Sequence, residues 1–342
     1  MIGEGTASLE SVAVIGAGAW GTTLAVILAE RYARVALWVY EGELATDMER
    51  TRENAVYLPG VPIPPAVQPT ASLDTALAGH RLVIFVVPSH GFRSVLERAR
   101  PFLDPTALAV SATKGIEVQS LWTMSRIMLD VLPPAHHPRL AVISGPSFAR
   151  EVVVGHPTAI VAAAKSAEVA RTVQQAVSGK SLRVYASTDP LGVELAGAVK
   201  NVIAIGAGVV DGLGLGLNAR AALITRGLAE ITRLGVAMGA QAPTFAGLAG
   251  VGDLILTCTG DLSRNRRVGL ALAKGTPLTA HLGASRAVAE GVNTCRSVVA
   301  LAERHVVEMP ICRAVHRVLF DGQDPREAVV QLMTRELRFV GE

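Results

Sequence analysis

Aromatic residues make up only 4% of this 342-residue chain, too few for a surface on which nucleic-acid bases stack. Cysteine is scarcer still: Cys258, Cys295 and Cys312 are the only three. They are odd in number and lack metal spacing, so they imply no disulfide framework and fit a reducing compartment. An excess of one charge is also missing. Lys and Arg number 32 against 29 Asp and Glu, a net charge of +3. That balance argues against nucleic acid as a partner. Lysine alone is rare, five against 27 arginines, so each lysine merits inspection. No H-E-x-x-H, C-x-x-C or G-x-S-x-G pattern occurs, so no metal site and no serine-hydrolase chemistry is expected. The start, Met1-Ile2-Gly3-Glu4-Gly5-Thr6, has no basic region before an apolar run and does not read as a signal peptide. Long uncharged apolar runs are absent too. The most apolar stretch, residues 191–217, is interrupted by Glu194, Lys200 and Asp211 and reads as a buried core helix, not a membrane span. A cytoplasmic protein without membrane insertion is expected.

What is present is apolar and glycine-rich. Half of the residues are hydrophobic and 33 are glycine. Such a chain buries a large core, and its length points to two domains. The first half alternates short apolar runs with helical stretches. Strands are expected at 11–15, 35–39, 82–87, 107–110, 140–143, 159–163 and 182–185. Strands alternating with helices imply a parallel sheet covered on both faces. Beyond Asp189-Pro190 the strand pattern stops. Helices are expected at about 191–210, 219–238, 266–274, 284–304 and 311–320. Breaks fall at Gly212-Leu213-Gly214-Leu215-Gly216, Gly250-Val251-Gly252 and Met309-Pro310. The expected architecture is an α/β domain over residues 1–190 with a mostly parallel sheet, then an all-α domain over residues 191–342. Glycine-rich helix packing in the second domain suits a homodimer or a compact monomer equally.

Gly16-Ala17-Gly18-Ala19-Trp20-Gly21 fits G-x-G-x-x-G. It follows a predicted strand and opens a predicted helix, which is the setting of a dinucleotide-binding Rossmann-type turn. Gly16 would make the tight turn, Gly18 would let the backbone approach a pyrophosphate, and Gly21 would let the helix pack on the strand. The helix N-terminus would then meet the phosphates. At the end of the second strand stands Val39-Tyr40-Glu41. Glu41 sits two residues late for a ribose contact, and reads equally as a solvated loop acid.

The later polar clusters divide between two chemistries. Ala112-Thr113-Lys114-Gly115 and Ser144-Gly145-Pro146-Ser147-Phe148 each follow a strand, at the edge where open parallel sheets bind ligands. Ser147 also reads as an N-cap of the next helix. Lys200 is a lone cation in a strongly apolar helix. It needs a partner or a lowered pKa if buried, and would then suit proton transfer to a carbonyl oxygen. Equally, it could be a helix-edge lysine that snorkels to water. Asp253 follows a glycine-rich break and could pair with a lysine. Ser263, Arg264 and Asn265 combine a hydroxyl, a guanidinium and an amide as a phosphate site would. The plainer reading, a capped helix start with a solvated basic face, is the expectation for Arg266 or Arg267.

Taken in order, the segments form a set. They are Gly16 to Thr22, Asn54-Ala55-Val56-Tyr57-Leu58-Pro59-Gly60, Ala112 to Glu117, Ser144 to Ala149, Glu194 to Gly216, Gly250 to Leu254, Ser263-Arg264-Asn265 and Glu290-Gly291. This set resembles the bacterial NAD(P)-dependent glycerol-3-phosphate dehydrogenases over about residues 11–320. The resemblance implies reversible reduction of dihydroxyacetone phosphate to sn-glycerol 3-phosphate, the backbone precursor of glycerophospholipids. It implies Lys200 as the catalytic proton donor and Lys114 as a contact of both substrate and cofactor. Gly145, Ser147, Asp253, Ser263, Arg264 and Asn265 match substrate contacts. Ala19, Trp20, Ala149, Arg264, Val288 and Glu290 match cofactor contacts beside Gly16, Gly18 and Gly21. Two positions depart from the pattern. Ala19 stands where many relatives carry Ser, and Val39-Tyr40 where many carry Arg or His. A strong NADP preference is therefore not implied, and NAD or NADP stays open. Two other readings stand beside this one: a β-hydroxyacid dehydrogenase of the same two-domain plan, and a nicotinamide-sensing module without turnover.

Overall fold

The computed structural model describes residues 10–283 and 288–336. The N-terminal hexapeptide and the first residues of the helix expected from 284 lie outside the described residues. The chain forms two compact units. One comprises Met1–Lys114 and Trp122–Glu194, the other Gly115–Leu121 and Leu195–Glu342.

The first unit holds strands β1 (Ser11–Ile15), β2 (Arg34–Trp38), β3 (Glu53–Asn54), β4 (Leu58–Pro62), β5 (Val67–Thr70), β6 (Leu82–Phe85), β7 (Leu108–Ser111), β8 (Leu140–Ser144), β9 (Thr158–Ala163) and β10 (Leu182–Ser187). Eight of them form one sheet in the order β10-β9-β8-β7-β6-β1-β2-β5. The central strands are continuous apolar runs because both faces are covered. Val12 and Val14 of β1 enter one apolar layer, and Ala13 and Ile15 the other. Helices α1 (Ala19–Leu28), α2 (Gly42–Thr51) and α7 (Ala167–Val177) fill the first layer. Helices α3 (Leu73–Leu77), α4 (Ser89–Ala99) and α5 (Met124–Val131) fill the second. The short α6 (Ala149–Val153) lies beside α1.

The expected strands all form, and the sheet is parallel from β5 to β8. β9, however, runs antiparallel to β8. The connection between them carries only the one-turn α6, too short to return the chain along the sheet as a parallel crossover requires. Two features have no sequence signal. The β3–β4 hairpin is too short to show alternation, and edge strand β5 contains Pro69, which a central strand would exclude.

The second unit is helical, and among the described residues no strand follows β10. Its helices are α8 (Pro190–Gly212, whose first turn belongs to the first unit), α9 (Gly216–Ala237), α10 (Ala242–Phe245), α11 (Asp253–Thr259), α12 (Arg264–Ala273), α13 (Leu278–Gly283), α14 (Glu290–Arg304), α15 (Pro310–Phe320) and α16 (Pro325–Met333). Among the described residues, two helical stretches are long and apolar enough to cross a membrane. The most apolar 18-residue window of Pro190–Gly212 is packed inside the protein, and Ala242–Thr259 is divided into short helical pieces. Gly250-Val251-Gly252 corrects the expected break: Leu248–Gly252 is a π-helical turn that runs directly into α11. Such turns concentrate at functional sites.

Candidate active site

On the first unit, β1, β6, β7 and β8 are mutually parallel, so their C-terminal ends share one edge of the sheet. The glycine turn leaves β1 at that edge. Gly16 adopts φ +120°, and a Cβ there would come within 2.6 Å of the Val86 carbonyl oxygen. A Cβ on Gly21 would fall 1.8 Å from the Gly16 oxygen, so α1 can only lie this close with glycine. Gly18 is different: apart from its chain neighbours, no atom of the described residues lies within 4 Å of where its Cβ would be. It is the N-cap of α1, gives no side-chain cap, and no acidic residue stands in the first turn. The positive end of the helix therefore has no capping or first-turn anion among the described residues, and its open side suits a pyrophosphate. The buried Ser144 hydroxyl at the end of β8 has no hydrogen-bond partner among the described residues. An open glycine, an uncapped helix start and an orphaned hydroxyl on one edge fit a nicotinamide dinucleotide.

Asn54 braces this turn. Its amide nitrogen donates to Ala17 O and to Thr22 Oγ1, both at 2.8 Å, while its oxygen accepts from Tyr57 N at 3.0 Å. Thr23 Oγ1 donates to Ala149 O at 3.1 Å, tying α6 to α1. Trp20 packs on the adjoining apolar layer. Glu41 is exposed and accepts the Tyr57 hydroxyl at 2.8 Å, an arrangement compatible with both the solvated loop acid and the ribose contact.

Lys114, three residues past β7, donates from Nζ to Gly145 O at 2.8 Å and to Ser147 Oγ at 3.4 Å. Ser147 Oγ donates to Gly145 O at 2.9 Å. Ser147 is thus not the expected N-cap. α6 starts later, with Phe148 at its N-cap position, and the hydroxyl turns back to the Lys114–Gly145 corner.

On the second unit, Lys200 is 5% exposed in the middle of α8, so it does not snorkel. Its Nζ donates to Asp253 Oδ1 at 2.5 Å and to Thr257 Oγ1 at 2.6 Å. The π-helical turn delivers Asp253 to the start of α11. Thr257 follows at the i+4 position on the same face, and its hydroxyl donates to Asp253 O at 2.6 Å. The Thr257 oxygen therefore faces the ammonium with its lone pairs. A buried cation held by one carboxylate and one hydroxyl is a compensated charge and a positioned proton donor. Cys258 next door stays a thiol, because burial pushes its pKa up to about 12.

Beside Lys200, Asn201 Oδ1 accepts from Asn265 Nδ2 at 2.9 Å, and Asn265 Oδ1 accepts from Gly291 N at 2.9 Å. One amide thereby joins α8, α12 and α14. Ser263 caps α12 by accepting from Arg266 N at 3.2 Å. Arg264 opens α12 at the surface. Surrounding protein lowers its guanidinium pKa, the Glu290 carboxylate opposes that shift, and Arg267 adds to it. Val288 and Glu290 lie half-buried at the start of α14. Of the two arginines, Arg267 is the exposed one, as expected of one of the pair, while Arg266 is half-buried. Its Nε donates to Asp211 Oδ2 at 2.7 Å and its Nη1 to Asp261 Oδ1 at 2.8 Å.

The sequence-predicted residues thus fall into two clusters, one per unit. Gly16, Gly18, Ala19, Trp20, Gly21, Lys114, Gly145, Ser147 and Ala149 belong to the first. Lys200, Asp253, Ser263, Arg264, Asn265, Val288 and Glu290 belong to the second. Sequence reasoning gave no role to Asn54, Asn201 or Thr257. The i+4 spacing of Thr257 from Asp253 was the one signal available.

The profile described as NAD-dependent glycerol-3-phosphate dehydrogenase N-terminus matches residues 11–170, and that of the C-terminus matches residues 189–330. A glycerol-3-phosphate dehydrogenase [NAD(P)+] of Geobacter sp. strain M21 is 54% identical over 332 residues, covering 97% of this chain and 99% of the relative. That of Geobacter sulfurreducens is 54% identical over 329 residues, covering 96% and 98%. The crystal structure of the glycerol-3-phosphate dehydrogenase from Coxiella burnetii superposes with a TM-score of 0.90 at 40% identity, covering 95% of this chain and 99% of that one.

Proposed function

Because the chain belongs to the family of NAD-dependent glycerol-3-phosphate dehydrogenases, we propose that it interconverts dihydroxyacetone phosphate and sn-glycerol 3-phosphate with NAD or NADP. The product is the backbone precursor of glycerophospholipids, and the reaction belongs in the cytoplasm. The observation that carries this reading is the buried Lys200 held by Asp253 and Thr257.

The nicotinamide cofactor, when bound, supplies or accepts the hydride. Everything else is asked of the chain. Gly16, Gly18 and Gly21, with Ala19, Trp20 and Ala149 beside them, would hold the cofactor's pyrophosphate at the start of α1. Arg264, with Ser263 and Asn265 at the start of α12, receives the substrate phosphate by charge and backbone N–H groups together. On the first unit, Lys114, Gly145 and Ser147 would supply binding contacts of their own. Lys200 polarises the carbonyl oxygen and gives it a proton as the hydride reaches carbon. A positioned ammonium in a water-poor site stabilises the developing alkoxide without reorganisation, and Asp253 keeps it aimed. A module that only senses nicotinamide would not need a buried charge of this kind.

The test is direct. Reduced nicotinamide absorbance is followed on adding dihydroxyacetone phosphate, with NADH and NADPH in parallel and a β-ketoacid panel as control. Rapid oxidation confined to the triose phosphate is expected, and the two kcat/KM values rank the cofactors. Cofactor binding without oxidation would leave the sensing module, and oxidation by β-ketoacids alone would leave the hydroxyacid dehydrogenase.

A further inference from the structure

The ion pairs around Asp211 take no part in the reaction proposed above, yet they lie on the two helices that carry its groups. α8 bears Lys200, and α12 begins with Arg264 and Asn265. These helices cross with their backbones nearly touching. A Cβ on Gly208 would lie 2.0 Å from Arg266 O, and one on Gly269 would lie 2.0 Å from Ile205 O. Contact through glycines brings the helices close from Ile205 to Gly212 of α8 and from Arg266 to Ala273 of α12, but a glycine has no side chain of its own to fix how one helix is set on the other. Two side-chain links supply that constraint. Asn265 holds Asn201 at 2.9 Å, and Arg266 holds Asp211 at 2.7 Å. Asn201 and Asp211 are about 15 Å apart along the helix, given a rise of ~1.5 Å per residue. Adjacent residues of α12 thus grip α8 at two well-separated points. Arg220 of α9 donates to both Asp211 oxygens at 3.2 Å, and Arg266 also reaches Asp261 in the loop before α12. The side chains of Arg266 and Asp211 are 13% and 14% exposed, so salt screens their attraction weakly.

We infer that Asp211 and Arg266 are positioning residues for the reaction: by locking the crossing of α8 and α12 they set the span from Lys200 to the phosphate-holding start of α12. The inference rests on assigning the substrate phosphate to Arg264 and its neighbours. The distance from carbonyl to phosphate is a property of the substrate, so the protein must match it. A misplacement of about 1 Å costs on the order of a hundredfold in rate. An unphosphorylated triose has no such span and is indifferent to it.

That difference supplies the readout. Asp211→Asn, nearly isosteric, and Arg266→Met are compared with Arg266→Lys and with Arg264→Ala as reference. kcat/KM is measured for dihydroxyacetone phosphate and for dihydroxyacetone, and glycerol 3-phosphate binding is measured by calorimetry. Asp211→Asn and Arg266→Met are expected to lower the phosphorylated-to-unphosphorylated ratio about tenfold. Dihydroxyacetone turnover should stay within about twofold, and glycerol 3-phosphate binding should weaken in parallel. Arg266→Lys should recover part of the loss. The double variant should be no worse than the worse single one, because both remove one link. Should Arg266→Met fail to fold, Asp211→Asn carries the test. Equal loss with both substrates, or an unchanged ratio while Arg264→Ala lowers it, overturns the positioning role. An unchanged ratio in Arg264→Ala overturns the phosphate assignment itself, and the positioning role with it.

Discussion

At the scale of single residues, the burial of Lys200 determines its chemistry. An ammonium inside apolar helices must be compensated, and Asp253 and Thr257 compensate it at 2.5 and 2.6 Å. Lys200→Ala removes the proton donor and leaves a buried carboxylate without its cation. Positioned proton transfer contributes about 10²- to 10⁴-fold, so kcat should fall by that order. Cofactor affinity should survive, since the glycine turn is untouched. Single-turnover kinetics and nicotinamide fluorescence titration separate the two effects, and near-normal turnover would dismiss the role. Much of this was legible in the sequence. A lone lysine in an apolar run demanded a partner, and Asp253 was a candidate on paper. Thr257 was hidden, because threonine on a helix has many uses and only the π-helical turn aims it. Ser147 departs from its N-cap reading for another reason: α6 begins one residue too late for it to cap. The Tyr57 partner of Glu41 had no signal, because the hairpin that brings it there has no pattern.

At the scale of elements, two helix starts are capped from a distance. Neither Thr123 before α5 nor Met309 before α15 offers a side-chain cap. Glu194 of α8 instead accepts from Ser125 N at 2.7 Å, and Glu230 of α9 accepts from Ile311 N at 2.7 Å and Cys312 N at 3.1 Å. Burial outweighs these hydrogen bonds and raises both carboxyls from 4.5 to about 7. Between those values the folded protein holds protons that the unfolded chain has released. Stability therefore falls as pH rises through that window, by roughly 3 kcal/mol per group at most. Tm should drop between pH 5 and pH 8. Glu230→Gln, which cannot titrate, should drop less over the same range. Parallel pH profiles of wild type and variant would show that Glu230 does not contribute. No sequence pattern announced either cap, because the partners lie 69 and 81 residues away. The strands and long helices were legible for the opposite reason: a run buried on both faces writes its burial into every residue.

At the scale of the whole molecule, the division into two units is not a single cut. Residues Gly115–Leu121 group with the helical unit although the sheet unit surrounds them in sequence. Within that segment Ile116 is 1% exposed, and its carbonyl accepts from the fully buried Ser297 Oγ at 3.2 Å. A fragment starting at residue 195 therefore lacks a piece of its own core. It forfeits about 1.5–3 kcal/mol for the missing apolar side chain and leaves the Ser297 hydroxyl unpaired at about 1–3 kcal/mol more. Against a net stability of about 5–15 kcal/mol for a whole domain, that loss is decisive for a glycine-rich helical unit. The fragment 195–342 should keep helical far-UV circular dichroism, bind a hydrophobic dye and melt without a sharp transition. Grafting residues 115–121 onto its N-terminus through a flexible linker should restore cooperative melting, whereas a Ile116→Asp version of the graft should not. A sharp transition in the fragment without the graft would mean that the helical unit is complete from residue 195 onward.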